Sequence, residues 1–130
     1  QAIEEVVNSL NLRRALLELG LEAPVGIGGG RLTPGQRQQL AIAGGLLKRP
    51  DILILDGATA AMAPSVQDFI MKGVFEEMRD RGLIWVLNQI DQARLFDHVV
   101  VMESGKGLEQ GSVSDLEKPG GWLESATAAE

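Results

Sequence analysis

Arg31-Leu32-Thr33-Pro34-Gly35-Gln36-Arg37-Gln38-Gln39-Leu40, followed one helical span later by Asp51-Ile52-Leu53-Ile54-Leu55-Asp56-Gly57-Ala58-Thr59, is the stretch on which the fold turns. Thr33 is placed to cap a helix whose first residue is Pro34 and whose third is Gln36. In such a capping box the hydroxyl and the amide satisfy backbone donors that have no partner inside the helix. The helix runs on through Leu40, Ala43 and Leu47 until Pro50 stops it. Gly44 and Gly45 in its body each cost about 0.5–1 kcal/mol relative to alanine, so the pair marks either close packing or tolerated decay. Residues 52–55 are an unbroken apolar run, the pattern of a strand covered on both faces of a parallel sheet. That strand delivers Asp56 at its carboxyl end.

Upstream, apolar residues recur at Ile3, Val6, Val7 and Leu10, then at Leu12, Ala15, Leu16 and Leu19, which predicts two short helices ending at Gly20. Pro24 and the glycines at 26, 28, 29 and 30 make a permissive loop before the cap. Downstream, Val66, Phe69, Ile70, Gly73, Val74 and Met78 form the apolar face of a further helix that closes at Gly82. Residues 83–87 repeat the buried-strand pattern, 89–96 read as a short helical turn, and 99–102 as a third strand. A turn over 103–106 leads into 107–110, and the two runs predict a hairpin. Residues 114–117 start a last short helix, which Pro119-Gly120-Gly121 breaks ahead of an acidic, alanine-rich tail. Strand and helix alternate as in an open α/β sheet, whose ligands sit at the carboxyl ends of the strands. Asp56 and Asn88 both stand at such ends.

Composition narrows the function classes. The chain has 130 residues, 45% of them apolar and 23% charged, which is the profile of one globular domain. A net charge of −6 argues against a nucleic-acid surface, because neutralising phosphates requires a concentration of lysine and arginine that Arg13-Arg14 and Lys48-Arg49 do not supply. Without cysteine there is no disulfide framework and no thiolate metal site. No apolar run approaches the roughly 18 residues that a bilayer span needs. The chain opens on Gln1-Ala2-Ile3-Glu4-Glu5, already helical in pattern and without an initiator methionine, and reads as a soluble fragment. His98, the single histidine, reads as solvated surface, Arg31 and Arg37 beside the capped helix as either solvated charge or groups that steer phosphate, and Trp85 as core.

Leu32-Thr33-Pro34-Gly35-Gln36, Leu40-Ala41-Ile42-Ala43, Leu46-Leu47, Arg49-Pro50, Leu55-Asp56 and Thr59 resemble the ATP-binding cassette (ABC) ATPases of transporters. In that family the signature reads L-S-G-G-Q, the metal-holding strand ends in L-D-E-P-T, and S-A-L-D-P follows. The corresponding residues here are Leu55-Asp56-Gly57-Ala58-Thr59 and Ala60-Ala61-Met62-Ala63-Pro64. The family's switch histidine falls nine residues before an Asp that opens a D-R-I/V-x-V-L-x-x-G run. Here the matching positions hold Asn88 and then Asp97-His98-Val99-Val100-Val101-Met102-Glu103-Ser104-Gly105. The resemblance extends over residues 3–116 and includes Leu108-Glu109-Gln110-Gly111-Ser112. It implies an α/β fold: a partial P-loop NTPase-type sheet of parallel strands flanked by helices, with a helical signature subdomain and a C-terminal hairpin. Residues 1–118 would be the C-terminal portion of the ATPase domain, divided into 1–49 and 50–118, and residues 119–130 a tail. The G-x-x-x-x-G-K-[ST] cradle occurs nowhere in the chain, so its strand is absent.

The resemblance also implies roles for individual residues. A helix N-terminus is an anion site, and Thr33, Gly35 and Gln36 would face the γ-phosphate of an ATP held by a partner domain. Pro34, where the family has glycine, removes one donor. Asp56 matches the carboxylate that holds Mg2+, usually through water. Gly57 stands where a glutamate activates the attacking water, a contribution typically worth about 10²–10⁴-fold in rate. Asn88, at the histidine position, can donate a hydrogen bond to phosphate but carries no proton. Ala63 lacks the carboxylate that couples the two subunits.

Three functions follow as expectations. The chain is part of a transporter ATPase, or a non-hydrolytic cassette that binds ATP and Mg2+ across a domain dimer, or a structural domain that has lost nucleotide contacts. The second is the preferred reading. Its partners would be a second ABC ATPase domain, in a homo- or heterodimer, and the membrane domains of a transporter at the cytoplasmic face, with no nucleic acid. The approach Pro24-Val25-Gly26-Ile27-Gly28-Gly29 is similar to the V-G-E-G-G of exporters, with Ile27 in place of the acidic residue. Loss of the cradle strand would leave unpaired sheet edges through which copies of the chain could associate.

Overall fold

The structure, a computed structural model, describes residues 1–13, 20 and 22–127. By its internal contacts the chain forms two compact units, Gln1–Val86 and Leu87–Glu130.

The first unit is a βαβ arrangement backed by helices. It comprises α1 (Ala2–Ser9), a 3-10 turn (Ile27–Gly29), α2 (Pro34–Leu47), β1 (Ile52–Asp56), α3 (Pro64–Glu77) and β2 (Gly82–Val86). β1 and β2 pair in parallel from Ile52 opposite Gly82 to Asp56 opposite Val86. Parallel neighbours need a crossover, and α3 supplies it. Val6, Leu10 and Leu12 meet Ile42, Ala43 and Leu46 of α2, Leu55 of β1, Met62, and Ile70, Val74 and Met78 in one apolar core. Leu53, Leu83 and Trp85 pack against it, and the Trp85 ring lies 6.3 Å from that of Phe75. The second helix expected near the start falls on 14–19, outside the described residues.

Two expectations are corrected in this unit. β1 is covered on one face only: Leu53 and Leu55 point inward, whereas Ile52 and Ile54 are 61% and 64% exposed, as are Ile84 (54%) and Val86 (52%) on β2. Three helices pack on one side of a two-stranded ribbon, and period-two alternation turns every second side chain away from them. The apolar face of α3 is also rotated. Ile70, Gly73, Val74 and Met78 are buried as expected, but Gln67 and Met71 are buried too, while Val66 and Phe69 are exposed. The rotation follows α1, whose Ser9 carbonyl sits directly above Gly73.

The second unit contains α4 (Ile90–Ala93), the antiparallel strands β3 (Val99–Glu103) and β4 (Lys106–Gly111), α5 (Val113–Leu116) and α6 (Trp122–Thr127). The hairpin expected from the sequence forms, with Ser104 at φ 50° and Gly105 at φ 76°. Those two positive values are the type I′ geometry that matches the twist of paired strands. α5 begins one residue earlier than the sequence indicates, because Ser112 caps it by accepting the Asp115 N–H at 3.2 Å. The segment read as a tail contains α6, anchored by the fully buried Leu123 and by the Trp122 N–H donating to Glu109 at 2.7 Å.

Candidate functional site

The start of α2 has the predicted cap. Thr33 is extended (φ −65°, ψ 158°), the Thr33 N–H donates to Gln36 Oε1 at 2.9 Å, and the Gln36 N–H donates to Thr33 Oγ1 at 3.2 Å. This exchange consumes two backbone donors of the first turn, and Pro34 contributes none. The donors left for an anion are the Gly35 N–H, the Thr33 hydroxyl proton and the Gln36 side-chain amide. The site therefore keeps the positive end of the helix dipole but fewer N–H groups than a glycine-rich start would offer.

β1 carries Asp56 to its exposed carboxyl end, opposite Val86. The chain then turns back over α2. The Gly57 N–H donates to the Val86 carbonyl at 3.3 Å, the Ala60 N–H to Gly57 at 3.1 Å, and the Met62 N–H to Thr59 at 3.0 Å. Gly57 has φ 56°, a left-handed conformation that glycine adopts without steric cost, and the space where its side chain would stand is open. Thr59 and Met62 are buried and fasten the loop to the core. Gly35 lets the Ala61 carbonyl approach the helix start: a Cβ there would lie 3.2 Å from that oxygen.

Two residues that sequence reading passed over hold this loop. Gln38, on α2, accepts the Ala61 N–H at 3.2 Å, and the buried Gln67, on α3, donates to the Met62 carbonyl at 2.9 Å. Neither carries a spacing signal, because each bond joins a helix to an irregular segment. Thr33, Gly35 and Gln36 and the segment that follows Asp56 are thus brought together within the first unit. Asn88 is an exposed residue two positions past β2 and belongs to the second unit. Ala63 is the N-cap of α3 and gives it no side-chain bond. Among the described residues no group of three or more His, Cys, Asp or Glu side chains could hold a metal by itself, and no helix is long and apolar enough to cross a membrane.

No protein-family profile matches the chain. Curated relatives do. An ATP-dependent lipid A-core flippase of Xanthomonas campestris pv. campestris (strain 8004) is 36% identical over 121 residues, 92% of this chain and 20% of the relative. A protein of the same description from Xylella fastidiosa (strain Temecula1) is 37% identical over 118 residues, 89% of this chain and again 20% of its own length. The chain thus spans about a fifth of the length of these relatives. Among solved structures, a bacterial Atm1-family ABC exporter with ATP bound superposes with a TM-score of 0.86 at 26% identity, over 98% of this chain and 23% of that one. Over the stretch it shares with these proteins, this α/β chain belongs to the ABC transporter ATPase family and is exporter-like.

Proposed function

We propose that the chain supplies the signature helix and the metal carboxylate of an ABC exporter's nucleotide site, docking on ATP across a domain dimer without splitting it. The observation that supports this most is the retained α2 start, capped by Thr33 and Gln36 and set against the segment behind Asp56, combined with the empty side-chain position at Gly57. Binding elements persist where the residue that would activate water does not. Mg2+ commonly takes one or two protein carboxylates and completes its shell with phosphate and water. A lone Asp56 fits that pattern when phosphates come from a cradle on another part of the protein, and does not fit an independent metal site. Asp56 would hold the ion, which offsets phosphate charge when bound. Thr33, Gly35 and Gln36 would orient the terminal phosphate of an ATP held by the partner domain through N–H and O–H donors.

The test uses a protein that carries this chain behind an intact glycine-rich cradle. Mg2+-dependent ATP binding should fall about ten-fold or more on Asp56→Asn, while hydrolysis stays at background in both forms. Gly57→Glu combined with Asn88→His should raise hydrolysis, since general-base help is worth about 10²–10⁴-fold. Strong hydrolysis that Asp56→Asn abolishes would establish the catalytic reading instead. Absence of ATP binding would establish the structural reading, which the thinned set of donors at the α2 start favours.

A further inference from the structure

We propose that Gln38 is a positioning residue that latches the loop 57–63 to α2, so that the helix start and the segment behind Asp56 shift as one body. Ala61 donates its N–H to Gln38 Oε1 at 3.2 Å, a bond between residues 23 apart in the chain. On the other side of the loop, Gln67 Nε2 donates to the Met62 carbonyl at 2.9 Å. The Ala61 carbonyl rests over Gly35, close enough that a Cβ would stand 3.2 Å away. Three contacts from two helices therefore grip two adjacent residues, and the burial of Thr59 and Met62 closes the remaining freedom. The amino half of the loop is built differently. It consists of tight turns running from Met62 through Thr59, Ala60 and Gly57 to Asp56, with open space around Gly57.

A displacement of the α2 start is thus passed to Ala61 through Gln38 and Gly35, and from Ala61 through those turns to the residue beside the carboxylate. Among the described residues of α2, Gln38 is the side chain that hydrogen-bonds this loop, and it sits a single helical turn past Pro34. Gln67 serves as the fixed side of the grip, because it is buried and belongs to the core helix α3. The purpose given to this latch, linking the helix end that meets phosphate to the carboxylate that meets metal, rests on the nucleotide-docking reading. The latch itself rests only on contacts within the first unit.

Amide hydrogen exchange, read residue by residue in this chain without nucleotide, tests the latch. Gln38→Met keeps the length and removes the strong acceptor, and should speed exchange at Ala61 about five-fold, the net worth of one neutral hydrogen bond. Gln38→Glu keeps an acceptor oxygen and should restore the rate to within about two-fold of the original. Thr33→Ala, which loosens the α2 cap, should speed Ala61 exchange when Gln38 is present and do so clearly less in Gln38→Met, where the Gly35 contact alone remains. The Val74 amide in the core of α3 should hold its rate throughout, which separates a local release from general loosening. If Gln38→Met disturbs packing, Gln38→Ala provides the same deletion without added bulk. Unchanged Ala61 exchange in both deletions, or an equal Thr33→Ala effect with and without Gln38, overturns the proposal. A chain that binds no ATP would overturn the functional reading alone, since the exchange rates decide the latch independently.

Discussion

Replacing Gly73 by alanine should destabilise the first unit, although alanine is ordinarily the better helix former. Gly73 lies in the body of α3 where α1 crosses it, and a Cβ built there falls well under 3.0 Å from the Ser9 carbonyl oxygen, with Leu10 Cδ2 at 3.3 Å. A carbon–oxygen contact relaxes at about 3.3–3.6 Å, so the two helices must part by about 1 Å. The neighbours are Leu10, Ile70 and Val74, all fully buried, and a gap of that size forfeits about a quarter to a half of each dispersion contact across it. Overpacking of this kind costs about 1–3 kcal/mol. The usual gain of about 0.5–1 kcal/mol for alanine over glycine in a helix offsets part of it, leaving about 1 kcal/mol. With an m-value of about 1–3 kcal/mol/M for a small protein, the urea midpoint should fall by about 0.5 M. Gly44→Ala is the matched control. It makes the same change in the body of α2 at an exposed position with nothing within 4 Å, and should raise the midpoint by a few tenths of a molar, about 0.5–1 kcal/mol. A Gly73→Ala midpoint equal to or above that of the unaltered chain would refute the close-approach argument.

Ala63→Asp should stabilise the chain by about 0.5–2 kcal/mol in the same urea assay, because Ala63 occupies the N-cap of α3 with extended backbone and no side-chain bond; no gain would mean that the cap donors are already satisfied. Ile54→Lys together with Ile84→Lys should lower any self-association of the chain seen by sedimentation, since both side chains lie on the bare face of the β1–β2 ribbon. Association that persists undiminished would move the contact elsewhere. The Asp115 carboxyl is held below the ordinary range by the side-chain hydrogen bond from Lys118, then by that from Ser112. Its folded-state value being depressed, the stabilisation it gives is complete above the unfolded-state value and is lost as pH falls through the folded one. A carbon-13 titration should show that shift, and Lys118→Met should largely remove it; an unaltered midpoint in the variant would assign the shift to other groups.

How far the sequence could be read depended on the range of the interaction. The α2 cap was legible because Thr33, Pro34 and Gln36 act within one turn, and the structure realises both of its hydrogen bonds. The hairpin was legible for the same reason, its turn being two residues long. The exposed face of β1 was not. An apolar run of four residues is compatible with one covered face or two, and only the number of helices packed on the ribbon decides between them. The rotation of α3 likewise came from outside the helix, where Gly73 admits the Ser9 carbonyl and pulls Gln67 and Met71 inward. α6 was hidden by the break at 119–121, since six residues have little helical tendency alone and α6 is held by its packing on α4 and α5.

For the site the division is similar. The sequence by itself determined which side chains are present for chemistry: a capped helix start at Thr33, a carboxylate at Asp56 after an apolar strand, and no functional side chain at Gly57 or Ala63. Residue identity suffices for those statements, because each concerns what a group can donate, accept or coordinate. Only the tertiary structure decided that the loop after Asp56 folds back over Gly35 and is gripped by Gln38 and Gln67. The Gln38 bond spans 23 residues, and it forms only after the core has set α2, β1 and α3 at fixed distances, which no local pattern of residue types encodes.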